Sequence, residues 1–234
     1  MDPLHLKGLN AARRARIGAV LVTDLGDGRD RLVKEGENVA GELGVALTAV
    51  FKSGKSGVVE IGGRQYFLNV HLPPARLVVI GAVHISQALA PIARLAGFDL
   101  EVIDPRTAFA TQERFEGVKL AAEWPEDVLA ARPLDRYCAL AAITHDPKID
   151  DFPLQAALEA GCIYVGALGS RKTHSKRVER LRANGVADED IARIASPIGL
   201  DIGAASPAEI AVAIMAEVIQ AFRRRDPAPV AAVA

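Results

Sequence analysis

Cysteine is scarce: Cys138 and Cys162 are the only two in 234 residues. A disulfide scaffold cannot be built from them, and they are not spaced as a zinc-ligand pair. Aromatic residues make up only 5% of the chain, too few for a base-stacking surface. Neither charge sign prevails, because 28 Lys and Arg face 29 Asp and Glu. Nucleic acid and anionic lipid therefore find no basic field to hold them. No uninterrupted apolar run approaches the roughly 18 residues of a membrane span, so no stable membrane insertion is expected. Met1 to Asn10 has no apolar signal-peptide core, and the default expectation is a cytoplasmic location. Walker loops and G-x-S-x-G elbows are missing too. We assign neither a metal site nor a catalytic residue from the sequence. Hydrophobic residues are abundant, at 50%, which is enough to bury a sizeable core.

Residues 1–73 read as a small α+β region, distinct from the rest of the chain. Ile17 to Val22 is a short apolar run that fits a strand, and Asp24 to Asp30 is a Gly/Asp-rich turn. Val39, Leu43, Leu47, Val50 and Phe51 recur at helical spacing, although Val45, Leu47, Ala49 and Phe51 also alternate. Val58–Ile61 and Arg64–Val70 flank Gly62-Gly63 as a hairpin. Pro73-Pro74 is a stiff break and the expected domain boundary.

From residue 74 to about 225, strand and helix signals alternate. Strands are expected at Arg76–Ile80, Leu100–Ile103, Val118–Ala121, Ala139–Ile143 and Ile163–Val165. Helices are expected at Ser86–Ala96, Glu126–Ala131, Leu154–Ala160, Ser170–Asn184 and Glu189–Ile194. A last long helix opens at Ser206-Pro207-Ala208-Glu209, which reads as a capping box. Such alternation predicts an α/β domain: a Rossmann-like, mostly parallel sheet with helices on both faces. Asp226–Ala234 is a Pro/Ala-rich tail expected to fray.

Four segments carry chemistry. Leu77–Ile80 runs into Gly81-Ala82-Val83-His84, a strand, glycine turn and helix start that would gather backbone N–H groups for a phosphate. Asp104 ends the next strand, where an acid can bind ribose hydroxyls. The dinucleotide fingerprint asks for a second glycine where Val83 stands. The alternative is an ordinary strand–helix corner, with His84 structural.

Thr144-His145-Asp146-Pro147-Lys148-Ile149-Asp150 follows another buried strand, in the place where parallel sheets bind ligands. His145 with Asp146 and Asp150 could be an acid/base pair, a cation site or a ligand clamp, or Asp150 or Asp151 could simply cap the next helix. Gly166 to Lys172 is a second glycine loop opening a basic helix, in which Gly166 and Gly169 allow a tight turn. Ser170 offers a hydroxyl there, and Arg171 a phosphate fork. Lys176, Arg177 and Arg180 read as a solvated helix face. The fourth segment, Ser196-Pro197-Ile198-Gly199-Leu200-Asp201-Ile202-Gly203, is an apolar loop able to wall a planar ring, or a plain crossover. Glu209 is better explained as a cap than a catalyst, and Cys138 and Cys162 as small core residues.

Taken in order, these segments resemble the XdhC/CoxI family of accessory proteins for molybdenum hydroxylases. The matching residues are Gly81-Ala82-Val83-His84, Asp104-Pro105-Arg106, Thr144 to Asp150, Tyr164 to Arg171, Pro197-Ile198-Gly199-Leu200 and Pro207 to Ala211. The resemblance implies binding of molybdopterin or its cytosine dinucleotide and maturation of an enzyme such as xanthine dehydrogenase or CO dehydrogenase. It implies an apo-molybdenum hydroxylase as partner, with a sulfurtransferase or second accessory protein as a further candidate. The site it marks comprises Gly81, Ala82, His84, Asp104, Arg106, Thr144, His145, Asp146, Asp150, Gly166, Gly169, Ser170, Arg171, Pro197 and Gly199. Two departures matter. Val83 stands where family loops often carry glycine, which disfavours ordinary NAD(P) or FAD binding. Residues 1–73 lack cysteine altogether, whereas full-length members carry a Gly-Gly-Cys motif there, so by this resemblance the N-terminal region is a reduced one.

An NAD(P)-dependent oxidoreductase and a protein-binding scaffold with a vestigial pocket are the competing readings. A homodimer is expected from Ile210, Ile214 and Val218 on the last helix, whose apolar character exceeds what one core needs.

Overall fold

The computed structural model describes residues 2–227. The chain divides into two compact units, Met1–Pro73 with the segment from Arg223 onward, and Pro74–Phe222. No helix among the described residues is long and apolar enough to cross a membrane.

The first unit contains α1 (Pro3–Arg14), β1 (Ala19–Asp24), β2 (Asp30–Lys34), α2 (Gly41–Ser53), β3 (Gly57–Ile61) and β4 (Arg64–His71). Its antiparallel sheet has the order β2-β1-β4-β3. The Gly62-Gly63 hairpin forms as expected, with both glycines at positive φ and Ile61 paired to Arg64. Helical spacing wins over alternation in 39–51, because Leu47 and Phe51 of α2 join Val20, Val22, Val33 and Leu68 in one core. Two elements of this unit escaped the sequence reading. Helix α1 buries only Leu9 and Ala12, so it has almost no apolar stripe to read. Strand β2 starts inside the supposed Asp24–Asp30 turn. Asp226, expected to fray, pairs with Lys52 at 2.8 Å, and the rest of that tail, 228–234, lies outside the described residues.

The second unit runs β5 (Arg76–Ile80), α3 (His84–Leu95), β6 (Asp99–Ile103), β7 (Lys119–Ala121), α4 (Pro125–Ala131), β8 (Cys138–Ala142), α5 (Pro147–Glu159), β9 (Tyr164–Ala167), α6 (Arg171–Ala183), α7 (Asp188–Ile191), β10 (Ile194–Ala195) and α8 (Pro207–Arg224). The strand order is β10-β9-β8-β5-β6-β7, and the pairings are parallel. This is a Rossmann-type sheet. Alternation along β5 sends Leu77 and Val79 to one face, under α3 and α8. Val78 and Ile80 go to the other, under α4, α5 and α6. Cys138 and Cys162 are buried in that second core, as expected of small apolar residues.

Strands β5, β6 and β7 step outward in one direction. The chain then returns to β8 beside β5 and steps the other way. Loops after β5 and β8 therefore diverge, and the crevice between them is where such sheets take ligands.

Ile214 and Val218 of α8 are fully buried in the unit's own core. The outward positions are Val212 and Ile219. Two of the three residues that motivated a dimer are thus spent on packing inside the protomer.

Candidate functional site

Sterics shape the crevice floor. Gly81 adopts φ of +122°, and a Cβ there would come within 3.0 Å of the Thr144 side chain and 3.3 Å of its backbone nitrogen. Glycine lets the ends of β5 and β8 close on each other.

The loop after β5 is already satisfied from within. Gly81 N–H donates to the Ile103 carbonyl at 2.8 Å. Ala82 N–H donates to Asp104 at 2.8 Å, and Val83 N–H to Ser86 Oγ at 2.9 Å. A phosphate at this loop would have to displace these bonds, whereas His84 is exposed at the start of α3.

Asp104 is fully buried, and its two oxygens also take the Arg106 fork at 2.9 and 2.8 Å and the Arg106 N–H at 3.0 Å. Burial alone would raise its pKa, but the Arg106 fork and the two N–H donors hold it below the ordinary value. In this structure Asp104 ties loops together and offers no open carboxylate to a ribose.

In the loop after β8, Asp146 caps α5 by accepting Lys148 N–H at 3.0 Å, so neither Asp150 nor Asp151 is the cap. The helix thus begins at Pro147, seven residues before the apolar spacing shows it. His145 sits at φ of +66°, which is uncommon for a residue with a side chain, and is exposed. Asp150 is 1% exposed and accepts Thr144 Oγ1–H at 2.8 Å and His145 N–H at 3.1 Å. Burial outweighs these bonds and pushes its pKa up to about 6.

Gly166 belongs to β9 and not to a turn. A Cβ on it would strike Tyr164 Oη, and Ile198 at 2.7 Å, so close approach explains the glycine. Ser170 caps α6, its Oγ accepting Thr173 N–H at 3.2 Å. Past this cap the helix sends consecutive residues to different places. Arg171 borders a pocket of about 400 Å³ lined by Leu168, Pro197–Ala204, Ile210 and Ala213. Lys172 and Thr173 border another, of about 200 Å³, with His145, Pro147, Asp150, Asp151, Lys176, Arg177 and Arg180. The expected residues are therefore split: Arg171, Pro197 and Gly199 share the first pocket, His145 and Asp150 the second. Gly81, Ala82, Asp104 and Arg106 line neither.

Two residues were missed by the sequence reading. Glu217, in the middle of α8, accepts Tyr164 Oη–H at 2.6 Å and Gly199 N–H at 2.8 Å, fixing the wall loop. Burial, and then the nearby Glu217 carboxylate, push the Tyr164 phenol up. The available signal was an acid flanked by core positions Ile214 and Val218 on one helix. Arg177 was placed on a solvated face, but it is 2% exposed and donates through Nη2 to the Leu168 carbonyl at 2.9 Å.

A parallel sheet with a switch point and polar loops at its carboxyl edge defines a Rossmann-type domain. Residues 77–218 match the family described as the XdhC Rossmann domain, and the chain belongs to that family. It is 34% identical over 171 residues to the Escherichia coli protein named Uncharacterized protein YqeB, covering 68% of this chain and 29% of that one. A Bacillus subtilis protein named as a probable xanthine dehydrogenase subunit is 32% identical, over 65% of this chain and 44% of that protein. The molybdenum cofactor insertion chaperone PaoD of Escherichia coli is 30% identical, over 62% and 40%. The chain thus spans less than half the length of these relatives. A crystal structure of a xanthine dehydrogenase from Bacillus halodurans superposes with a TM-score of 0.64 at 25% identity, covering 95% of this chain and 65% of that one.

Proposed function

We propose that this protein binds molybdenum cofactor, as molybdopterin or its cytosine dinucleotide, and presents it to an apo-molybdenum hydroxylase such as xanthine or CO dehydrogenase. The observation that carries the reading is the pocket bordered by Arg171. Its walls are the loop Pro197 to Gly203, apolar but for Asp201, with Leu168 and Ile210, and Arg171 is its cation. At about 400 Å³ it has the size of a small-molecule site, which typically runs to roughly 300–1,000 Å³. That donor set fits a planar ring joined to a phosphate: Leu200 and Pro197 would flank the ring and Arg171 would take the phosphate bidentately. Glu217 would hold the loop in position through Gly199. The relative named a molybdenum cofactor insertion chaperone supports the cargo and its direction of transfer.

A purely oxidoreductase reading has less support, because the first-loop N–H groups that would face a dinucleotide pyrophosphate are engaged within the protein. Cys138 and Cys162 are both buried, which does not favour either as a carrier of sulfur during maturation.

The test is native purification from a cofactor-producing host, followed by absorption and mass analysis of the bound molecule. A pterin is the expected result. In Arg171→Ala the affinity should fall by about 1.5–3 kcal/mol, the worth of a charged hydrogen bond, with folding unchanged. A purified protein that turns over NAD(P) and carries no pterin would replace this reading with the enzyme.

A further inference from the structure

Arg177 poses a question that its own protein does not answer. It lies midway along α6, 2% exposed, and only its Nη2 has an acceptor, the Leu168 carbonyl. Its Nε and Nη1 are buried with no hydrogen-bond partner among the described residues. Buried polar groups in native proteins are almost always paired, and a guanidinium more than most, since it carries charge into a medium that solvates it poorly. No carboxylate among the described residues is within ion-pairing distance of it: Asp150 influences it without forming a bridge, and Asp151 is taken by Arg180 at 2.5 and 3.0 Å. Burial accordingly depresses the Arg177 pKa.

Arg177 is among the residues that line a pocket of about 200 Å³ between α5 and α6, a space much larger than a single water needs. Lys172 and Lys176 line the same space and are exposed, with no ion pair among the described residues. The pocket also abuts the first turn of α6, where helix N–H groups favour negative charge. Four cations face two carboxylates there, one of them already bridged.

We propose that this pocket is a second oxyanion site, which takes a phosphate group on the Arg177 guanidinium with Lys172 and Lys176 closing over it. A phosphate fits better than a carboxylate, because two ammonium groups beside the guanidinium meet its second charge. The site stands apart from the Arg171 pocket and does not depend on a pterin being bound there. Its phosphate could be free inorganic phosphate or that of a nucleotide.

Calorimetric titration of the full chain with inorganic phosphate and with cytidine 5′-monophosphate, against sodium chloride of equal ionic strength, tests this. Saturable binding at one site is expected. Comparable affinities assign the site to the free anion, and a nucleotide that binds about tenfold more tightly assigns it to a nucleotide phosphate. Lys172→Gln with Lys176→Gln should weaken binding by about tenfold or more, and both positions are exposed, so the fold is not at issue. Arg177→Lys, which keeps the charge and loses the guanidinium, should weaken it similarly. Arg171→Ala should leave it unchanged, which separates this site from the proposed cofactor pocket. No saturable binding of either probe, or binding that survives the double lysine change, overturns the proposal. So does binding that is lost with Arg171 instead.

Discussion

Asp104, at the end of β6, accepts the N–H of Ala82 at 2.8 Å and so closes the loop after β5 from beneath. The same carboxylate carries the Arg106 fork. An acid in this position reads, from sequence, as a ribose ligand; here it is a structural clasp, and its removal makes a prediction about stability.

Asp104→Asn should lose about 2–3 kcal/mol at neutral pH, because a buried ion pair loses one partner while Arg106 stays partly solvated. The folded pKa lies below the ordinary 3.8, so this stabilisation is present above that value and fades as pH falls further through the folded pKa. Denaturant unfolding of both proteins should therefore give curves that converge in acid. A gap that persists at the lowest accessible pH would mean that charge is not what Asp104 contributes.

Asp150 predicts the opposite pH dependence. Its pKa is raised to about 6 from 3.8, so its contribution favours the fold below the lower value and is lost as pH climbs through the upper one. Arg177 faces it and moderates the effect, as do the Thr144 hydroxyl and the His145 N–H. Between pH 4 and pH 7, Asp150→Asn should gain up to about 3 kcal/mol relative to the wild type. Parallel stability curves for the two proteins would return Asp150 to an ordinary carboxylate.

His145 is held at φ of +66° beside that buried acid. Glycine adopts this conformation freely, so His145→Gly should fold with stability within about 1 kcal/mol of wild type. A β-branched residue cannot do so cheaply, and His145→Val should lose about 2 kcal/mol. Thermal melts of the pair check it; equal losses would show that the left-handed backbone is not the constraint.

Glu217 holds Tyr164 and Gly199 together. Glu217→Ala should loosen the Pro197–Gly203 loop, lower stability by about 1–3 kcal/mol and weaken pterin affinity, while Glu217→Gln keeps an acceptor for Gly199 and should retain most of both. Hydrogen exchange at the Gly199 amide reports the loop directly. Slow exchange in the alanine variant would remove Glu217 from that role.

The second unit was largely legible because parallel strands buried on both faces write themselves as unbroken apolar runs, as in Leu77–Ile80 and Cys138–Ala142. The capping box was legible for a local reason: Ser206 Oγ accepts Glu209 N–H at 3.2 Å and Glu209 accepts Ser206 N–H at 3.0 Å, as the spacing predicts. Helix α1 and the two-residue β10 were not, since neither carries a periodic apolar signal long enough to read. The site was legible in its loops but not in its division. Whether Arg177 faces water or the interior depends on what packs over α6, and a basic helix looks the same in either case.

The division of labour along α6 has a consequence for the spacing of the chain itself. Successive residues of a helix are turned by about 100° from one another, so Arg171, Lys172 and Arg177 hold their separate stations by register alone. A single residue added within the helix, between Lys172 and Arg177, would turn Arg177 by about 100° relative to Arg171 and Lys172. Arg177 would leave the Leu168 carbonyl, and an exposed side chain would take the buried place. The spacing from Arg171 to Arg177 is therefore as much a determinant of that division as any side chain in it, and variation in this stretch should come as exchange of residues and not as gain or loss of one.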